Sequence, residues 1–308
     1  MDSTLLLHIG FHKTGTTWLQ SKVFSQESLG YCAPWGRLST EAIDQFVLVN
    51  PHRFDPQRAR DAFEEGRRDA AQRKLLPVIT HEDLCGYPWQ GRYYGKEAVE
   101  RMHTTFPEAK VLISIREQRS SLVSHYREYV RECGAQRIER FLGPTGAPGF
   151  SPIFRLDHLE YDLLVEHYRN LSGPDRVFVL PLELLARDRR EYCRRLGEFT
   201  GVPIERDIDY QPDNVGWRGV TLALRRRFNR FNLGVPDWRK PRQTLGYHLV
   251  DRLCRLVDRL TPARFHAVQD ARLRRYVDGV CRGVYAKSNR RLSEMTGLDL
   301  VSLGYDTG

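Results

Sequence analysis

Short apolar runs alternate along this chain with longer segments of helical periodicity. Leu5, Leu6, Leu7 and Ile9 surround His8 and stop at Gly10. A continuous apolar run bounded by turn residues predicts a buried parallel strand. Residues 75–80, 110–115 and 176–180 read the same way. Between these runs the spacing predicts helices over about 16–24, 58–74, 97–106, 156–171, 182–185 and 189–200, with Pro107 and the pair Gly173-Pro174 as stops. Another starts at Ser120 and carries Leu122, Val123, Tyr126, Tyr129 and Val130 as an apolar stripe. Strand and helix in alternation predict an α/β fold of three layers. Its centre is a parallel sheet of about four to five strands, with helices on both faces.

Composition sets the scale. The 308 residues, 41% of them hydrophobic, suffice for a large core. One domain over 1–308 is expected, with helical or loop insertions at about 25–74 and 135–160 and a helical C-terminal part from about 213 to 308. Residues 143–152 hold three Gly and three Pro, which predicts a loop and a candidate flap over an acceptor. Beyond Asp213 the chain turns basic, with Arg225, Arg226, Arg227 and Arg230 on one predicted helix; a solvated face is the expectation there. Leu249, Leu253, Leu256, Val257 and Leu260 form an amphipathic stripe, expected to pack into the core, with a membrane surface as the next reading.

The net charge of +9 favours anionic partners without choosing among nucleotides, acidic glycans, nucleic acid and membrane. Cys32, Cys85, Cys133, Cys193, Cys254 and Cys281 are scattered, with no C-x-x-C and no zinc spacing, so reduced thiols and no metal are expected. The first strand starts by residue 5, and no later run approaches the roughly 20 apolar residues of a membrane helix. No leader or anchor is therefore expected.

Candidate chemistry begins where the first strand ends. Gly10 and Gly15 flank Lys13 and are followed by Thr16, Thr17, Trp18, Leu19 and Gln20. A strand, a glycine-punctuated loop and a helix start aim backbone N–H groups and the positive helix end at an anion. The glycines keep the spacing of G-x-x-x-x-G-K-[ST], but Thr16 stands where that nucleotide loop has its Lys, and Lys13 lies inside the loop. Such a charge suits a compact 5′-terminal group better than a triphosphate with its metal. His12 also breaks the dinucleotide pattern G-x-G-x-x-G. A second strand runs into Arg116, with Ser124 eight residues on; an Arg at a strand's carboxyl end can fork onto a phosphate, and the Ser can complete the cradle. A third strand stops in Thr80-His81-Glu82-Asp83, where a general base is well placed.

The run His12-Lys13-Thr14-Gly15-Thr16-Thr17-Trp18 resembles the 5′-phosphosulfate loop of the sulfotransferases, P-K-[ST]-G-T-T-W, with His12 in place of the Pro. Arg116 and Ser124 are similar to that family's 3′-phosphate site, R-x7-S, and Pro181-Leu182-Glu183-Leu184-Leu185 to its later P-[LY]-E-x-L segment. The tail Tyr285 to Tyr305 resembles bacterial members of carbohydrate type. The resemblance implies a P-loop-like fold and 3′-phosphoadenosine 5′-phosphosulfate as donor, with adenosine 3′,5′-bisphosphate as product. It implies that Lys13 neutralises the leaving phosphate, that Thr14, Gly15, Thr16 and Thr17 hold the 5′ end, and that Trp18 packs against adenine. By the same resemblance Arg218 and Gly219 belong to a late basic loop that reaches the 3′-phosphate. The family uses a His after a Thr as base in some members and a Glu in others. His81 and Glu82 match the two, and Glu82 is preferred.

Sulfation of a polysaccharide, glycolipid or other carbohydrate is the expectation, in a bacterial cytoplasm and in peripheral contact with the inner membrane surface, without nucleic acid. Three alternatives stand beside it: sulfation of a small phenol or alcohol, a P-loop ATP-dependent kinase, and a noncatalytic basic protein that binds nucleic acid or membrane.

Overall fold

Leu5 to Ile9 are all buried, and with Gly10 they form the middle of a sheet. The computed structural model describes residues 5–143, 153–210, 217–231 and 245–308, the first three of the last segment by backbone alone. Among these residues five strands are present: β1 Leu6–Gly10, β2 Tyr31–Cys32, β3 Leu76–Thr80, β4 Lys110–Ile115 and β5 Val177–Pro181. They lie in the order β2-β3-β1-β4-β5, and every pairing is parallel. β1 pairs on one side with β3, Leu6 opposite Val78, and on the other with β4, from Leu6 opposite Lys110 to Gly10 opposite Ser114.

Successive strand residues point to opposite faces, and both faces are covered. Leu5, Leu7, Ile9, Ile79, Val111, Ile113 and Val179 enter one core. Helices Pro56–Gln72, Gly95–Thr105, Gln118–Arg131 and Tyr161–Ser172 contribute Phe63, Met102, Leu122 and Val165 to it. Leu6, Val78, Leu112 and Leu180 enter the other, against Trp18, Leu19, Val23 and Phe24 and against Tyr192 and Leu196 of helix Arg189–Thr200. This is the three-layer α/β architecture that the alternation predicts.

Several expectations need adjusting. The 58–74 helix spans Pro56–Gln72 and is not merely solvated, because Ala59, Phe63, Arg67 and Ala70 are buried. The predicted 156–171 helix is a short turn, Leu156–Leu159, followed by Tyr161–Ser172. Arg225, placed on a solvated face, is buried inside helix Gly219–Asn229. Leu249, Leu253, Leu256 and Leu260 of helix Leu245–Leu260 do not join the core; they are exposed. The loop 143–152 lies outside the described residues apart from Gly143.

Beyond the sheet, helix Gly219–Asn229 packs against both Leu245–Leu260 and Ala263–Cys281, and Gly219–Asn229 and Ala263–Cys281 also pack against Gln118–Arg131. Among the described residues no helix is long and apolar enough to cross a membrane.

Candidate active site

The loops after β1, β3 and β4 leave the carboxyl ends of three adjacent strands. In open parallel sheets ligands bind at such ends. A cavity of about 1350 Å³ opens here. Lys13, Gly15, Thr16, Thr17 and Trp18 line it from the first loop, His81 and Glu82 from the second, and Arg116 and Ser124 from the third. Three stretches that are far apart in sequence thus face one space.

The first loop is built tightly. A Cβ on Gly10 would sit 2.1 Å from Thr16 Cγ2, so only glycine lets the helix start fold back over the strand. Gly15 has φ 82 and Lys13 has φ 68. The left-handed region costs a side-chain-bearing residue energy, and such residues gather at functional turns. The helix that begins at Thr16 ties its Trp18 amide back to the Gly15 carbonyl at 3.0 Å and leaves the Thr16 and Thr17 amides without intrahelical acceptors. Beneath the loop, His8 is fully buried; its Nδ1 meets Thr80 Oγ1 at 2.7 Å and its Nε2 meets Ser114 Oγ at 2.9 Å. Burial lowers its pKa to about 3, so it is a neutral strut between β3 and β4.

Thr14 departs from its expected place. It is buried, donates its hydroxyl to the Phe11 carbonyl at 2.5 Å, and closes the loop from within instead of lining the cavity. Trp18 lines the cavity while its indole N–H donates to the Asp209 carbonyl at 2.9 Å. Arg218 and Gly219 are not among the lining residues. Arg218 is paired to Asp258 at 2.7 Å, and a Cβ on Gly219 would meet the His266 carbonyl at 2.5 Å, so both serve helix packing here. Trp217 reaches the cavity instead.

Arg116 is braced from two sides. Its Nε donates to Ser120 Oγ at 3.0 Å and one terminal nitrogen to the Lys13 carbonyl at 3.1 Å. No carboxylate among the described residues pairs with it, which leaves guanidinium N–H capacity for an anion. Its position is set by Glu117, which caps helix Gln118–Arg131 by accepting from the amides of Arg119 at 3.0 Å and Ser120 at 2.8 Å. The Glu117 amide in turn donates to Glu183, and Tyr305 donates to the other oxygen of Glu183 at 2.9 Å.

β3 ends at Thr80, and a short helix, Glu82–Cys85, follows. His81 caps it: its Nδ1 accepts from the Asp83 amide at 3.1 Å. In the neutral ring the proton then stands on Nε2, which makes His81 a donor toward the cavity. Among the described residues Glu82 accepts only from Gln20, at 3.3 Å, and keeps acceptor capacity to take a proton.

Further functional residues were not marked by any motif. Lys13 Nζ donates to Glu128 Oε2 at 2.9 Å, and Glu128 also holds Arg131. Burial pushes the Glu128 carboxyl up, but Lys13 and Arg131 outweigh it and hold the carboxyl below its ordinary value. Asp83, expected to be a solvated or capping acid, bonds His12 Nε2 at 2.9 Å. Burial alone would favour a neutral His12, yet the Asp83 carboxylate and the neighbouring Cys85 raise its pKa to about 10. His12 packs edge-on against Trp89 with ring centres 4.6 Å apart, and Tyr87 and Trp89 both donate to Glu132, at 2.6 and 2.9 Å. All but Cys85 of this group line the cavity. Among the described residues no group of three or more His, Cys, Asp or Glu is gathered to hold a metal.

No protein-family model matches the chain, and no curated protein sequence matches it. Solved structures with a similar course include a sulfotransferase from Alicyclobacillus acidocaldarius, at 21% identity and TM-score 0.47, covering 78% of this chain and 100% of that one. A sulfotransferase domain from the Synechococcus PCC 7002 olefin synthase has 14% identity and TM-score 0.43, with 81% of this chain and 94% of that one covered. The sulfotransferase domain from the curacin biosynthetic pathway has 15% identity and TM-score 0.41, over 81% of this chain and 89% of that one. These likenesses are remote and by themselves assign no chemistry to the chain.

Proposed function

We propose that this protein is a sulfotransferase that moves a sulfuryl group from 3′-phosphoadenosine 5′-phosphosulfate to an acceptor hydroxyl, with a carbohydrate or glycolipid as acceptor. The observation that carries this reading is the convergence of the Lys13 loop, Arg116 and Glu82 on one cavity at the carboxyl edge of the sheet. The residues suit a donor with two separated anionic ends. Gly15, Thr16 and Thr17 present a helix start to the 5′ end, while Arg116, which pairs with no carboxylate among the described residues, and Ser124 serve the 3′-phosphate.

The donor supplies an electrophilic sulfur and a leaving phosphate. Glu82 takes the proton from the acceptor hydroxyl, and His81 orients the turn that carries it. Lys13 neutralises charge that grows on the leaving side, in a cavity where fixed charges act more strongly than in water. Tyr87 and Trp89 line the same cavity and give it aromatic surface suited to a sugar ring.

The test is transfer of labelled sulfate from the donor to a panel of saccharides, glycolipids and phenols, read by mass spectrometry. Lys13→Ala is expected to lower the rate by about 10²–10³-fold, the scale of losing one charge-stabilising group. Arg116→Ala is expected to weaken adenosine 3′,5′-bisphosphate by about 1.5–3 kcal/mol, the worth of hydrogen bonds to a charged group. Stabilisation by ATP with magnesium, and none by adenosine 3′,5′-bisphosphate, would replace this reading with a kinase.

A further inference from the structure

Helix Leu245–Leu260 is amphipathic in an unusual sense, because its strongest apolar stripe points away from the protein. Val250 and Cys254 face inward and are buried. Leu249, Leu253, Leu256 and Leu260 recur at helical spacing along another side, 64%, 42%, 52% and 72% exposed. Past the following turn, Phe265 and Val268 of helix Ala263–Cys281 are also exposed, at 50% and 51%. A row of exposed apolar side chains of this kind marks an interaction site.

Charge identifies the occupant. Arg252 and Arg259 lie one helical step from the stripe and are exposed, and among the described residues no carboxylate pairs with either. Arg264, at the start of the next helix, lies over the Phe265 ring at 5.0 Å. A twofold pairing with a second copy would bring both copies' arginines together along the seam, where like charges repel. An apolar stripe edged by unpaired arginines fits an anionic bilayer, in which leucine side chains enter the acyl boundary and the arginines reach lipid phosphates.

We propose that this face docks on an anionic lipid surface. The same helix lines the cavity with His248, Asp251 and Arg255, so docking sets the cavity beside the headgroup layer. An acceptor carried on a lipid is thereby delivered to Glu82; this last step alone rests on the proposed transfer reaction.

Flotation of the full chain with phosphatidylcholine vesicles and with equimolar phosphatidylcholine and phosphatidylglycerol vesicles tests the docking without any donor. The chain is expected to float with the anionic vesicles only, and to be released by salt. Arg252→Gln with Arg259→Gln, and separately Leu253→Ser with Leu256→Ser, are each expected to weaken partitioning by about tenfold. These side chains are exposed, so melting temperatures serve as the folding control, and Lys13→Ala should float like the parent. Absence of flotation, equal binding to neutral vesicles, or binding that survives both sets of substitutions overturns the proposal. So does a dimer in analytical ultracentrifugation that the leucine substitutions dissociate.

Discussion

Glu128→Gln tests how the cavity is held before a ligand arrives. The Glu128 carboxylate lies 2.9 Å from Lys13 Nζ, with the lysine side chain 24% exposed and the glutamate 9%. Two unit charges about 4 Å apart in such a setting attract by on the order of 4 kcal/mol. Desolvation of both groups offsets most of this, and Arg131 draws on the same carboxylate. What remains, about 1–2 kcal/mol, is what an incoming anion must displace to engage Lys13. Glutamine keeps the shape and removes the charge. Isothermal titration with adenosine 3′,5′-bisphosphate should show Kd falling roughly five- to thirtyfold in the variant. The gain should shrink as salt rises. In the double variant with Lys13→Ala the gain should vanish, since the two groups act as one coupled pair. An unchanged or higher Kd in Glu128→Gln refutes the reasoning and makes Glu128 a support for Lys13, not its competitor.

Three other perturbations read separate parts of the site. Gly10→Ala forces a Cβ to within 2.1 Å of Thr16 Cγ2, and the resulting shift should cost about 1–3 kcal/mol, seen as a lower melting temperature and weaker nucleotide binding. The raised pKa of His12, about 10 against 6.5, means that its pairing with Asp83 stabilises the fold fully below pH 6.5 and is lost as pH rises toward 10. Asp83→Asn should therefore lower the melting temperature at pH 6 and flatten its decline between pH 6.5 and 10; a variant curve parallel to the parent's would remove the ion pair from the account. Glu82→Gln should slow transfer by about 10²–10⁴-fold, while His81→Ala loses a helix cap of about 1 kcal/mol and a smaller share of rate. The reverse order of the two rates would make His81 the base.

The parts of the site that lie close together in sequence were legible, and the parts that depend on folding were not. The loop around Lys13 declares itself because its glycines, lysine and threonines fall within eight consecutive positions. Its partners do not. Glu128 is 115 residues from Lys13, Asp83 is 71 from His12, and Tyr305 is 122 from Glu183, and no spacing rule links such pairs. Four of the five strands follow from apolar runs, but β2 has two residues and shows no period. Helix Leu245–Leu260 gives a different lesson: periodicity reveals that a helix has two faces without telling which one the protein covers. Resemblance draws Arg218 and Gly219 toward the cavity, whereas Asp258 and the His266 backbone decide where they sit.

The Tyr305–Glu183–Glu117 relay has a consequence for biosynthesis. Arg116 leaves the ribosome long before Tyr305, so the shelf that aims its guanidinium is unfinished until that late tyrosine arrives and docks. A nascent chain stalled after β5 can assemble its strands, yet its grip on nucleotide should mature only when the tail folds back.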